Sequence, residues 1–268
     1  MVDPNLRFST RVGNYIKYRP GYPSTIINIL QKDCQLCKSS IIADVGSGTG
    51  LLAQLFLKNS NVVFGIEPNK EMREAAKRFL RQYNTFKSIS GSAEDTTLPA
   101  HSVDFVTAGH AFHWFDPHLA RTEWLRILKP RGWAVLVWNE RQKESTLLQA
   151  AYESLLLKHS AEYRDIPSHI EEQAILTLFG AVCFNRKVLE NSQIFDFEGL
   201  KGRLLSSSYT PQPGHANFEP MMSELKKIFS EHEVNGKITY KYDTIVYYGH
   251  LESNVEQIER QPPKRESC

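Results

Sequence analysis

The sequence predicts an α/β fold: a seven-stranded, mostly parallel sheet with helices against it and a helical cap. Three observations carry this. Short apolar runs alternate with helical patterns through the first half. A glycine-rich stop follows the first run, as at the junction of a buried strand and a helix. The second half closes on a long alternating segment rich in β-branched and aromatic residues.

Each element has its own signal. Ile41 to Val45 (IIADV) reads as a buried strand, stopped by Gly46-Ser47-Gly48-Thr49-Gly50. Leu51 to Lys58 reads as a helix and Asn61 to Ile66 as a second strand. From Lys70 to Tyr83, helical spacing sets Met72, Ala75, Ala76, Phe79 and Leu80 on one face. Phe86 to Ile89 and Val103 to Ala108 read as strands three and four, before the aromatic segment His110 to Phe115. Leu119 to Leu128 is helical, ended by Lys129-Pro130-Arg131-Gly132, and Trp133 to Trp138 is a fifth strand. Alternation at these lengths implies right-handed crossovers and a parallel sheet. Beyond it, Gln142 to His159, Ile170 to Phe179, Leu200 to Leu205 and Phe218 to His232 read as helices. Lys187 to Phe197 and Lys237 to Leu251 read as the strands that complete the sheet.

The composition narrows the function classes. The chain has 268 residues, enough for a large core in a single domain. Its 32 basic and 30 acidic residues leave +2, which argues against a polycation built for nucleic acid or anionic membrane. No run approaches the roughly 18 apolar residues of a membrane span. Met1 to Thr10 holds no apolar leader. Four cysteines make no disulfide framework in a chain this long, so the expected setting is a reducing, cytoplasmic one. Cys34-Gln35-Leu36-Cys37 has no second pair at zinc spacing and reads as chance. The nine histidines show no metal-binding spacing, and no metal is expected.

The glycine loop is the strongest motif. It lets backbone N–H groups approach a ligand, and a helix start lies behind it. Glu67 stands at the end of the next strand, where a carboxylate can accept from two ribose hydroxyls. A dinucleotide fingerprint wants G-x-G-x-x-G, whereas here the spacing is G-x-G-x-G, with Leu51 at the position of the third glycine. Asp44 just upstream would repel a pyrophosphate but suits a cationic amino group. S-adenosylmethionine has that amino group, a ribose and no phosphate, so the pattern favours it over NAD.

The succession ADVGSGTG, GIEPNKEM, GSAEDTTLP, SVDFVTAGHAFHWFD and LRILKPRGWAVLVW resembles the class I S-adenosylmethionine-dependent methyltransferases, of the type 11 kind. These have a Rossmann-like sheet. Tyr15 to Pro23 and Ala111 to Phe115 resemble the branch that includes trans-aconitate methyltransferases. The resemblance implies a cofactor-binding half to about residue 140, a cap with the final strands over 141–256, and a polar tail over 257–268. It implies that Asp44, Gly46, Ser47 and Gly48 face the methionine end of the cofactor. Glu67 would hold the ribose, Pro68 and Met72 the adenine, and Ser92, Ala93 and Glu94 the adenine edge. His110 would lie near the sulfonium, and Tyr15, Tyr18 and Arg19 would fold over from the N-terminal side.

Methyl transfer from a sulfonium needs alignment and exclusion of water rather than a covalent intermediate. A carboxylate acceptor is already ionised and needs positioning, for which Arg19, Arg203 and Tyr209 are candidates. A hydroxyl or acidic carbon would need a base, for which His113 and His110 come first, with Tyr209 as a further catalytic candidate. Trp114 reads as pocket wall. The segment His110-Ala111-Phe112-His113 stands where methyltransferases of nucleobase amino groups often carry an Asn-Pro-Pro-Tyr-like stretch. With the weak net charge, this points to a small-molecule acceptor and to no nucleic-acid or membrane partner. The alternatives are an enzyme acting on tRNA or protein, and a binding module that keeps the cofactor without turnover.

Overall fold

A computed structural model describes residues 17–165, 171–180, 184–207 and 209–251. Strands β1 (Ile41–Val45), β2 (Val62–Ile66), β3 (Phe86–Ile89), β4 (Val103–Gly109), β5 (Leu128–Arg141), β6 (Asn185–Phe195) and β7 (Ile238–His250) form one sheet, in the order β3-β2-β1-β4-β5-β7-β6. The first five run parallel to their neighbours. β7 is antiparallel to both β5 and β6. The order reverses between β1 and β4, and open sheets of this kind bind ligands at the strand ends beside such a reversal.

Helices α1 (Thr25–Cys34), α2 (Leu51–Lys58), α3 (Lys70–Phe79), α4 (Pro117–Ile127), α5 (Leu147–His159), α6 (Glu172–Phe179), α7 (Phe197–Leu205) and α8 (Phe218–His232) complete the described residues, with short 3-10 turns at Phe112–Trp114 and Ala161–Asp165. The period of two along β1 decides what covers each face. Ala43 and Val45 join Val106, Leu136, Trp124 and Ile127 on one side, with Leu178 and Phe179 of α6. Ile42 joins Val63, Phe105 and Val137 on the other, against Ile26 and Leu30 of α1 and Leu52 and Phe56 of α2. Both faces are therefore apolar, as the unbroken run IIADV requires. A third core unites α5, α7 and α8 over Tyr240, Tyr242, Ile238 and Phe195. The cap thus rests on the part of the β6–β7 ribbon that runs beyond β5.

Most expected elements are present, with shifted ends. The helix from Lys70 stops at Phe79, because Leu80 leaves helical geometry and its N–H bonds Ala76 O. The fifth strand is longer than Trp133 to Trp138. Leu128 already pairs with Val103 before a register shift, and β5 continues to Arg141 opposite Tyr242. The helix expected from Gln142 begins at Leu147, where Thr146 caps it through Gln149 N. No helix among the described residues is long and apolar enough to cross a membrane.

Candidate active site

The glycine loop lies between β1 and α2. Gly46, Gly48 and Gly50 hold φ of 63°, 54° and 86°. A Cβ on Gly46 would stand 2.7 Å from Ala111 Cβ and 2.9 Å from Phe115 Cζ, so the loop is pressed onto the segment after β4. A Cβ on Gly48 would meet nothing within 4 Å, which marks the open side of the loop. Asp44 is fully buried beneath it. Thr107 Oγ1 donates to Asp44 Oδ1 at 3.0 Å, while Oδ2 has no hydrogen-bond partner among the described residues. Burial pushes the carboxyl up to about 7, with a small further push from Glu67 and against the donors that it accepts from. Thr49 Oγ1 is likewise buried without a partner among these residues. A cavity of about 30 Å³, lined by Asp44, Thr49, Tyr22, Gly109 and the loop, adjoins the two groups.

Glu67 follows β2 and braces the loop. Its Oε2 accepts from Gly48 N and its Oε1 from Asn69 N, both at 2.9 Å. Asn69 in turn caps α3 by accepting from Met72 N. Arg73 Nη1 donates to the carbonyls of Glu67 and Pro68 at 2.8 and 2.7 Å. Burial raises the Glu67 carboxyl, opposed by the two N–H donors. Each oxygen retains a lone pair for one more donor. Met72 and Ala93 are buried beside this corner. Ser92 Oγ accepts from Glu94 N and Asp95 N at 3.2 and 3.1 Å. Glu94 Oε1 accepts from Asp116 N at 3.0 Å, so its side chain ties the loop to the start of α4. Glu123 holds the same loop through Thr96 N at 2.9 Å.

His110 follows β4 with φ of 53°, a left-handed conformation for a residue with a Cβ. Its ring stacks on Trp138 at 3.9 Å, and its buried Nδ1 has no partner among the described residues. Burial, then the positive charge of Arg19, with His113 and Arg203 also nearby, holds this imidazole well below its ordinary pKa. The His113 ring lies 6.1 Å from that of His110 and 5.1 Å from Trp138. The side chain is exposed at the surface, yet desolvation by the surrounding protein and then the charge of Arg19 lower it to about 4. Trp114 is 50% exposed at the rim, 4.5 Å from His113.

The strap at residues 17–22 and the cap close in from the other side. Tyr15 lies outside the described residues. Tyr18, expected over the cofactor, turns its ring onto Gly202 of α7, where a Cβ would stand 2.1 Å from the ring. The ring is partly buried against the cap core. Arg19 Nη2 donates to Ser206 O at 3.2 Å, and its charge reaches His110, His113 and Tyr209. Arg203 is 6% exposed and donates to Tyr242 Oη at 3.0 Å and Ser207 Oγ at 3.1 Å. Tyr209 lies with its ring 5.0 Å from Tyr163. Burial would raise its phenol, but Arg141 and Arg203 overcome that and lower it.

Arg141 is the residue that sequence reasoning missed. It pairs with Glu153 of α5, donates to Tyr163 Oη, and stacks against Tyr152. Its signal was its place, a charged residue just past the buried run WAVLVW at a strand's C-terminal end. Among the described residues, no group of three or more His, Cys, Asp or Glu side chains is arranged to hold a metal.

Residues 43–136 match the profile of a methyltransferase domain family. An uncharacterized methyltransferase of Mycobacterium tuberculosis is 34% identical over 141 residues, 53% of this chain and 55% of its own length. One of Schizosaccharomyces pombe is 31% identical over 135 residues, 50% and 53% of the two chains. The chain thus spans about half the length of the curated relatives that it matches. Among solved structures, a type II methyltransferase candidate from Anaeromyxobacter dehalogenans superposes with a TM-score of 0.64 at 20% identity, over 87% of this chain and 98% of the other. A methyltransferase candidate of an antibiotic biosynthesis pathway from Anabaena variabilis gives 0.56 at 20% identity, over 88% and 99%. The fold is the Rossmann-like one of these methyltransferase structures.

Proposed function

We propose that this chain transfers a methyl group from S-adenosylmethionine to a small-molecule acceptor, with a carboxylate as the first acceptor group to examine. The observation that carries the reading is the pair of orphaned acceptors under the glycine loop. Asp44 Oδ2 is buried with neither a donor nor a cation against it among the described residues. An ammonium group would satisfy it and restore its charge. A pyrophosphate would be repelled there. The bound cofactor supplies an activated methyl group on a sulfonium.

The protein's own tasks then follow. The loop N–H groups and Asp44 orient the amino-acid end, while Glu67 accepts from the ribose hydroxyls with its remaining lone pairs. The neutral imidazole of His110 places no positive charge beside the sulfonium. Arg19, Arg203 and Tyr209 orient an anionic acceptor, which needs no base. For a hydroxyl acceptor, His113 is the group free to take the proton.

Calorimetric titration tests the reading, with S-adenosylhomocysteine and NAD added separately to the wild type and to Glu67→Ala. The expected result is micromolar S-adenosylhomocysteine binding, weakened about tenfold or more in the variant, and no NAD binding. A folded wild type that ignores S-adenosylhomocysteine sinks the proposal.

A further inference from the structure

Arg203 poses a problem that the cofactor site does not answer. A guanidinium at 6% exposure ordinarily has an acid beside it. Arg141, in the same cap, has Glu153. Arg203 forms no ion pair among the described residues, and its bonds go to neutral hydroxyls, Tyr242 Oη and Ser207 Oγ.

Those bonds lead back to Arg19. Tyr242 Oη, accepting from Arg203 Nε, donates to Gln193 Oε1 at 3.0 Å. Gln193 Nε2 then donates to the carbonyls of Tyr18 and Arg19, each at 3.3 Å. From the other end, Arg19 Nη2 donates to Ser206 O, and Ser206 Oγ donates to the Arg203 carbonyl at 2.7 Å. The circuit closes. It ties a strap residue to a cap residue through one tyrosine and one glutamine, and both charges act on His110 at the end of β4.

We propose that Gln193 and Tyr242 are positioning residues that lock Arg19 and Arg203 into a two-armed clamp for an acceptor bearing two anionic groups. The proposal rests on the methyltransferase reading above and specifies the ligand of its acceptor side. Two like charges held in fixed relation, one of them without an acid among the described residues, are compensated by a dianion that spans them. Gln193 is suited to its place because the circuit needs one acceptor, toward Tyr242, and one donor, toward the strap carbonyls. An amide supplies both with no charge of its own.

The test uses the full chain loaded with S-adenosylhomocysteine, titrated calorimetrically with succinate as the dianion and butyrate as the monoanion. Succinate should bind more tightly than butyrate and should be lost in Arg203→Met. Tyr242→Phe, which keeps the packed ring, and Gln193→Met should each weaken succinate by about tenfold, with S-adenosylhomocysteine affinity held within about twofold. A merely structural role would lower thermal stability and both affinities together, and that pattern overturns the assignment. Equal affinity for succinate and butyrate overturns the two-armed clamp. Binding of S-adenosylhomocysteine with no response to either acid overturns it too, leaving the cofactor reading intact. Failure to bind S-adenosylhomocysteine at all removes the reading beneath it.

Discussion

Replacing Asp44 by asparagine separates the two demands that the loop makes on this carboxyl. Burial raises its pKa from 3.8 to about 7 in the folded chain. The folded state therefore holds a proton that the unfolded state has released, and its stability falls as pH rises between those values. The difference is about three units at about 1.4 kcal/mol each, so the cofactor-free protein carries a penalty of about 4 kcal/mol above pH 7. The asparagine amide is neutral at every pH and keeps an oxygen for Thr107, so this dependence should vanish in the variant. Urea denaturation of the free protein at steps from pH 4 to 9 reads it directly. The wild type should lose stability relative to Asp44→Asn over that range, and the variant should be the more stable at pH 8. S-adenosylhomocysteine should reverse the order, since its ammonium meets a carboxylate only in the wild type, and its affinity for the variant should fall about tenfold or more. Parallel pH curves for the two proteins would refute the reasoning, because they would mean that Asp44 is ionised and compensated throughout.

Other consequences are quicker to check. Gly46→Ala forces a Cβ against Ala111 and Phe115 at a left-handed φ, and should cost about 3 kcal/mol in chemical denaturation. Gly48→Ala meets open space and should cost only about 1 kcal/mol, yet it should weaken S-adenosylhomocysteine more than that figure implies, since the open side is where a ligand sits. His113, lowered to about 4, and His110, held well below its ordinary value, are both deprotonated from pH 6 to 9. The rate with any identified acceptor should then show no limb near pH 6.5. Such a limb, abolished by His113→Gln, would contradict the site as described.

The sheet was legible because its central strands are apolar on both faces, and runs such as IIADV and WAVLVW admit few other readings. Asp44 and Glu67 were legible for a related reason. A polar residue that ends such a run sits at a strand's C-terminal end, and its chemistry can be read from that address alone. The strap and cap residues proposed for the acceptor were not readable in this way. Arg141 meets Glu153 only because α5 packs beside β5, and Gln193 meets Tyr242 only through the pairing of β6 with β7. Tyr18 shows the same dependence. Its ring lies against α7 only because Gly202, 184 positions away, has no side chain. The early end of α3 and the early start of β5 were missed because helix fraying and a register shift are settled by neighbours rather than by local sequence.

The two halves of the site divide along the chain in a way that bears on descent. Asp44, the glycine loop, Glu67, His110 and His113 all lie within residues 43–136, the stretch shared with the methyltransferase domain family. Arg19, Arg141, Gln193, Arg203, Tyr209 and Tyr242 all lie outside it. On the function proposed above, donor chemistry and acceptor choice fall in separate segments of the sequence. On that reading the flanks could be rewritten for another acceptor without disturbing the residues assigned to the donor. The same seam offers the engineer a graft: the flanks of one such chain transplanted around the core of another should carry acceptor preference with them.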